Sequence, residues 1–259
     1  MAVSVVIVNY RTPELTMAAA ESALAQPEAA EVIVVDNASA DDSVARLREL
    51  GDRVSLVESP ENIGFGRANN LGVERASQEF VFLLNSDALL HPGCLAALLE
   101  CWAALDRPGI LAPAVYLADG KTLQPDAQGP FPTVWGLVTR VSAANETSLT
   151  PDWVSGCAML IRREDFLAVG GFDSEIFMYY EDVVLCHAIR QRGLGIHRCL
   201  DAAVTHLGGK SIARSSDRKK VYYQAQDIML RRLGEPAWAI ALARLLRVPY
   251  RLLQRIRGR

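Results

Sequence analysis

Five places in the chain put acids, amides or an imidazole where chemistry could happen. Three short apolar runs end in polar residues: the first in Asn9-Tyr10, the second in Asp36-Asn37, the third in Asn85-Ser86-Asp87. A carboxylate at the end of a buried strand can accept from a base N–H or a ribose hydroxyl, or hold a hard cation. It can equally cap the turn that follows, as Asp and Asn often do. Further on, Glu181-Asp182 opens a helical pattern. Paired acids there either complement the helix dipole or supply a general base. Last, His206 stands next to Gly208-Gly209-Lys210-Ser211. A lone imidazole is a structural residue, or a metal ligand if Asp87 binds a metal.

The elements that must position these groups follow from periodicity. Val3–Val8, Glu31–Asp36, Val54–Glu58 and Phe80–Asn85 are short apolar or β-branched runs suited to a largely parallel sheet. Helices are expected between them at about 13–25, 41–50, 65–77 and 92–105, with Pro13 and Pro92 in first turns. This βα alternation predicts a ligand crevice at the strand carboxyl ends. Residues 116–151, rich in Gly, Pro and polar side chains, read as a long irregular excursion of the functional or mobile kind. A strand over Val154–Arg162 and helices near 180–192 and 216–232 follow.

Other chemistries are disfavoured. Asn62-Ile63-Gly64-Phe65-Gly66-Arg67-Ala68-Asn69 opens a helix whose N-terminus suits an anion, but Asn69 stands where a dinucleotide fingerprint needs its third glycine. The residues about 20 further on are Leu83-Leu84-Asn85, with no ribose-binding acid, and no phosphate-binding GxxxxGK[ST] loop occurs. Half of the 259 residues are hydrophobic, which excludes disorder. The five scattered cysteines fit no zinc spacing and are read as free thiols in a reducing compartment. The start lacks a basic signal-peptide region, and no apolar run reaches the length of a membrane span.

In order and spacing, Val5-Val6-Ile7-Val8-Asn9-Tyr10, Val34-Val35-Asp36-Asn37-Ala38-Ser39, Asn62-x-Gly64-Phe65-x-x-x-Asn69, Leu84-Asn85-Ser86-Asp87, Trp153-x-x-Gly156, Gly171-Phe172-Asp173 and Glu181-Asp182 form an ordered set. That set resembles inverting family 2 glycosyltransferases, in the rhamnosyltransferase-like branch of cell-surface polysaccharide synthesis, over about residues 3–232. The resemblance implies an α/β GT-A fold, Rossmann-like, with a mixed, mostly parallel sheet flanked by helices. A nucleotide-sugar half would occupy about 1–115 and an acceptor half 116–232. By resemblance, Tyr10 stacks on the base, Asp36 hydrogen-bonds it with Asn37 in the same binding set, and Asn62, Gly64 and Asn69 follow the ribose and diphosphate. Asn85-Ser86-Asp87 takes the place of the metal-binding DxD motif, so that Ser86 borders the donor. Asp87 would hold Mg²⁺ or Mn²⁺, and His206 would complete the metal shell. Asp182 matches the base, with Glu181 beside it, and Trp153 and Gly156 fall on the acceptor side.

The implied reaction moves a sugar from a nucleoside diphosphate (dTDP- or UDP-linked, dTDP-rhamnose among the candidates) to a hydroxyl of a glycan or lipid-linked acceptor. The physical need agrees: a leaving diphosphate requires charge neutralisation and an attacking hydroxyl must lose a proton. Three residues depart from the branch: Asn85 replaces the first acid of DxD, Val184 an acid, and Ala188 an arginine. Val184 and Ala188 motivate the alternative of a non-catalytic nucleotide-sugar-binding or scaffold protein of a glycan assembly.

Net charge divides sharply. Residues 231–259 contain eight arginines and one acid, a balance of +7, whereas the preceding 230 carry 19 basic and 29 acidic residues, a balance of −10. Arg244, Arg247, Arg251 and Arg255 would line one face of a helix, with Trp238, Leu242, Leu245, Leu246, Leu252, Leu253 and Ile256 away from it. Pro249 is expected to break or kink that helix. Residues 233–259 are thus expected to form a basic amphipathic tail. It would either attach to an anionic membrane surface or dock on the core or a second subunit. The acidic remainder argues against nucleic acid. The expected location is cytoplasmic or peripheral at the inner face of the cell membrane.

Overall fold

The computed structural model describes residues 1–139, 148–208 and 217–256, the stretch from 247 onward by backbone alone. The chain runs β1 (Val3–Asn9), α1 (Pro13–Leu24), β2 (Ala29–Asp36), α2 (Ser43–Leu47), a 3-10 turn (Arg48–Arg53), β3 (Ser55–Glu58), α3 (Phe65–Arg75), β4 (Phe80–Asn85), β5 (Ala88–Leu90) and α4 (Cys94–Ala104). It continues with β6 (Pro108–Tyr116), β7 (Gln128–Gly129), α5 (Val134–Thr139), β8 (Trp153–Val154), β9 (Ala158–Arg162), α6 (Arg163–Ala168), α7 (Glu181–Gln191), β10 (Gly195–His206), α8 (Asp217–Arg232) and α9 (Ala237–Ile256).

Eight strands form one sheet in the order β3-β2-β1-β4-β9-β6-β10-β5, and β7 pairs with β8 separately. The pairs β2–β3, β1–β2, β1–β4 and β6–β10 are parallel, and β4–β9, β6–β9 and β5–β10 antiparallel. The sheet is therefore mixed and mostly parallel, as expected. Strand alternation divides the core. Val3, Val5 and Ile7 pack with α1 and α4 on one face, while Val6 and Val8 pack with α3 and α7 on the other. A third cluster joins Val183 and Val184 of α7 to Ala225 and Met229 of α8 and to Ala239, Ile240 and Ala243 of α9.

Several expectations need correction. The excursion at 116–151 contains β7, α5 and a bridge between Tyr116 and Leu123, while 140–147 lie outside the described residues. The strand expected over Val154–Arg162 is two strands, β8 and β9, separated by a turn at Gly156. Helix α4 begins at Cys94, after left-handed Gly93 (φ 75°), leaving Pro92 outside it. Cys101 and Cys199 are joined in a disulfide, because α4 packs on β10 across a separation of 98 residues. Cys94, Cys157 and Cys186 are free and buried. Finally, α9 is one helix from Ala237 to Ile256. Proline removes one backbone hydrogen bond, and here the helix continues past it.

Candidate functional site

The crevice lies at the carboxyl ends of β1 and β4, and Tyr10, Asn37, Asn62, Asn85, Ser86 and Asp87 line it together with Phe65 and Met178. Parallel register brings these ends level, since Asn9 lies opposite Asp36 and Val8 opposite Asn85. Asp36 itself is buried beneath the crevice. Its carboxylate accepts from Asn9 Nδ2 (2.7 Å), Ser39 Oγ (2.6 Å) and Ser39 N (3.1 Å). The turn-capping reading of Asp36 is thus realised, and the same bonds fix the loop that carries Asn37. Asn37 donates to Asn62 Oδ1 (3.0 Å) and accepts from Ile63 N (2.9 Å), tying two loops of the crevice together. The Arg11 guanidinium lies 5.2 Å from the Tyr10 ring centroid and is anchored on Ser39 O (2.8 Å).

Asp87 and His206 are 119 residues apart but adjacent in space. Antiparallel pairing of β10 with β5 sets His206 opposite Ala88, and His206 Nε2 lies 3.1 Å from Asp87 Oδ1. The other ring nitrogen, Nδ1, lies 2.6 Å from Gln124 Oε1. Both partners are acceptors, so the geometry favours a doubly protonated ring. Burial pulls the His206 imidazole down, but the hydrogen bond to Asp87 and the neighbouring Cys157 outweigh it and carry it up to about 10. Asn85 Oδ1, on the same crevice, is buried without a hydrogen-bond partner.

With the Nε2 proton displaced by the metal, carboxylate, imidazole and an orphaned amide oxygen make a donor set that fits Mg²⁺ or Mn²⁺, with Nδ1–H on Gln124 as the outer bond that orients a ligating histidine. Such cations commonly take one or two protein ligands and complete their shell with substrate phosphates. Among the described residues, Cys101, Cys199 and Asp201 form the one cluster with three ligand atoms within 4.8 Å. Its two sulfurs are already bonded to each other. Gln124 was not legible as a site residue, because it lies in the excursion. A turn at 117–122, capped by Asp119, returns the chain so that Gln124 N bonds Val115 O (2.9 Å).

Residues 62–70 also hold two parts of the fold together. The Gly64 N–H goes to Asn62 Oδ1 (3.1 Å) and the Phe65 N–H to Phe177 O (3.0 Å), so the donors of the N-cap and of the first residue of α3 are engaged. A Cβ on Gly64 (φ 86°) would come within 2.4 Å of Phe177 O. Asn70 grips Phe172 through both of its backbone polar groups, each at 2.9 Å. Asn69 is buried and donates to Phe65 O (3.0 Å), away from the crevice. These residues clamp α3 to the segment 172–177 that leads into Glu181 and Asp182. Just before those acids, Tyr179 and Tyr180 hold left-handed backbone (φ 75° and 65°), a conformation that costs about 1–3 kcal/mol for a bulky residue. Their hydroxyls are held by Arg218 (3.0 Å) and Gln226 (3.1 Å) of α8.

Asp182 accepts from Gly156 N (3.0 Å) and Val183 N (2.8 Å). Gly156 in turn abuts Phe65 of the crevice: a Cβ there would lie 3.5 Å from the Phe65 ring and 3.6 Å from Asp182 Cβ. Glu181 is buried and its Oε2 has no partner. Burial, and then the charge of Asp182, push the Glu181 carboxyl up to about 8; burial also raises Asp182 against its N–H bonds. The pair therefore favours one proton on Glu181 and the charge on Asp182, where the N–H donors are. Trp153 donates from Nε1 to Pro130 O (3.0 Å). Val184 is buried in the apolar cluster with α8 and α9, which is what an acid at that position could not do without a partner.

Residues 4–170 match the model of glycosyl transferase family 2. An N-acetylglucosaminyl-diphospho-decaprenol L-rhamnosyltransferase of Mycobacterium tuberculosis is 29% identical over 219 residues, covering 73% of this chain and 70% of the relative. The low-salt glycan biosynthesis hexosyltransferase Agl10 of Haloferax volcanii is 25% identical, covering 88% and 74% of the two chains. GalNAc-T7, solved with UDP, GalNAc and Mn²⁺, shares the fold with a TM-score of 0.70 at 17% identity; 89% of this chain is covered but 48% of that one. The chain thus spans about half the length of GalNAc-T7. The mannosyltransferase PcManGT of Pyrobaculum calidifontis, solved with GDP-Man and Mn²⁺, gives a TM-score of 0.65 at 18% identity, covering 94% and 73%. The chain belongs to glycosyl transferase family 2, and rhamnosyltransferases are among its relatives.

Proposed function

We propose that this chain is an inverting, divalent-cation-dependent glycosyltransferase that moves a sugar from a dTDP- or UDP-sugar to a hydroxyl of a lipid-linked glycan at a membrane surface. The observation that carries the reading is the pairing of two unlike acidic sites, Asp87 with His206 lining the crevice and Asp182 beside its Phe65 wall. Tyr10 offers an aromatic face to the base, and the Asn37–Asn62 bridge shapes the edge where the ribose would lie. Asp87, His206 and Asn85 would hold Mg²⁺ or Mn²⁺, which when bound would neutralise charge on the diphosphate. Asp182 would accept the proton of the attacking hydroxyl, its Oδ2 held in place by the Gly156 N–H. Attack from that side, opposite the diphosphate, inverts the anomeric carbon without a covalent intermediate. The relative of known acceptor acts, by its name, on N-acetylglucosaminyl-diphospho-decaprenol, which supports a lipid-linked acceptor here. Residues 1–232 would form the transferase unit and 233–259 an appended tail.

A thermal-shift and transfer screen of nucleotide sugars, with and without Mn²⁺ or Mg²⁺, tests this reading. A donor should stabilise the wild-type chain only with cation, since a ligand of the folded state raises its melting temperature. The Asp87→Ala variant should lose that cation-dependent shift. Equal stabilisation with and without cation in both proteins would refute the assignment.

A further inference from the structure

Helix α9 has one face committed and one face open. Ala239, Ile240 and Ala243 are buried against α7 and α8. Trp238, Leu242, Leu245 and Leu246 are instead 72%, 41%, 68% and 41% exposed. Their spacing of four, three and one residues places them on a single stripe. Helix α5, which packs against α9, adds Trp135, 73% exposed. An exposed apolar stripe on α9, with a second exposed indole on the neighbouring α5, marks an interaction site on a protein of this size.

Charge selects the occupant. The nearer arginines are engaged within the chain: Arg232 with Asp173 (2.5 Å), Arg231 with Glu175 (3.9 Å) and Arg244 with Asp227 (2.9 Å). Beyond Leu246 the sequence holds five more arginines and no acid, and it keeps the apolar spacing with Leu252, Leu253 and Ile256. An apolar stripe beside an acid-free, arginine-rich segment complements a surface that is greasy below and anionic above. A second copy is a poor fit, since pairing two stripes would bring two like-charged segments together. The helix is about 30 Å long at 1.5 Å per residue. No described helix is long and apolar enough to cross a membrane, so α9 would lie flat.

We propose that the open stripe of α9, with Trp135 beside it, is an interfacial anchor that seats the protein on an anionic lipid bilayer. This deepens the reading of a lipid-linked acceptor and rests on it for its purpose, though not for its geometry. It also shifts the expected contact: the apolar stripe, rather than Arg244, touches the bilayer.

The test uses the full chain with vesicles of phosphatidylcholine alone or mixed with phosphatidylglycerol, read by co-sedimentation and tryptophan emission. Wild type should sediment with the anionic vesicles, and its emission should shift to the blue. A Trp238→Ser/Leu245→Asp variant, changed only at exposed positions, should lose about tenfold or more of that binding while keeping its melting temperature. Undiminished binding by the variant overturns the proposal. So does a dimer in lipid-free solution that the variant dissolves, because the stripe would then belong to a second copy. Vesicle binding without transfer to any acceptor would leave the anchor standing and remove the transferase reading instead.

Discussion

The acidic site that lines the crevice and the one beside its Phe65 wall handle charge in opposite ways. Asp87 has a cation at hand, the His206 imidazole, itself held by Gln124. Glu181 and Asp182 have each other, two backbone N–H donors on Asp182 and nothing on Glu181 Oε2. The first arrangement places Asp87 against a cationic ring, in a position that a metal could take over. The second keeps two buried acids short of partners, so that burial raises both and a proton is held nearby. A site suited to receive a cation sets its acid against a positive partner, and a site suited to receive a proton sets two acids against each other.

The largest effect that would break this comparison is chemical. Asp182→Asn should lower the transfer rate by about 10²–10⁴-fold, the usual worth of a general base, with donor-induced thermal stabilisation intact. A loss of donor binding in step with rate would instead make Asp182 part of the donor site. Next in size, Gln124→Leu should weaken metal affinity by about 10–100-fold by freeing the imidazole to rotate. Metal titration followed by thermal shift measures this, and an unchanged affinity would show that His206 needs no outer support.

The smallest effect concerns pH and Glu181. Its carboxyl is pushed up to about 8 from an ordinary 4.5. Between those values the unfolded chain has released the proton that the folded chain keeps. Folding stability should therefore fall as pH rises from about 4.5 to about 8. Glu181→Gln should remove this contribution, so its melting temperature should gain steadily on wild type across that window. Parallel curves for the two proteins would assign the pH response to other groups.

The first half of the fold was legible because its strands are continuous apolar runs and its helices carry ordinary signals. β1 to β4 and α3 lie within a few residues of their expected bounds. Two strands around the Asp87–His206 corner, β6 and β10, were not legible. β6 contains Pro108 and Pro113, and proline argues against an interior strand. The ladder accommodates Pro113 with a register shift, Cys199 lying opposite Pro113 and Ala203 opposite Ala114. β10 alternates poorly because Asp201 sits in that bulge and is exposed. Of the site itself, the acids and His206 could be read from residue type and order. Gln124 could not, because its position depends on a turn that no spacing reveals. The glycines and asparagines of residues 62–70 were legible as special, but not as a clamp, since their partners lie more than 100 residues away.

That clamp has a consequence for anyone exchanging parts between relatives. A chimera joined near residue 115 would follow the division into two halves expected from sequence. It would separate Gly64 and Asn70 from Phe177 and Phe172, the groups that set the height of the loop in front of Asp182. A new acceptor half grafted onto this α3 would meet a glycine pocket and an amide cut for a different loop. Graft partners are therefore best chosen by agreement at these four positions, ahead of overall identity, and α3 is best transplanted together with the segment 172–177 it holds.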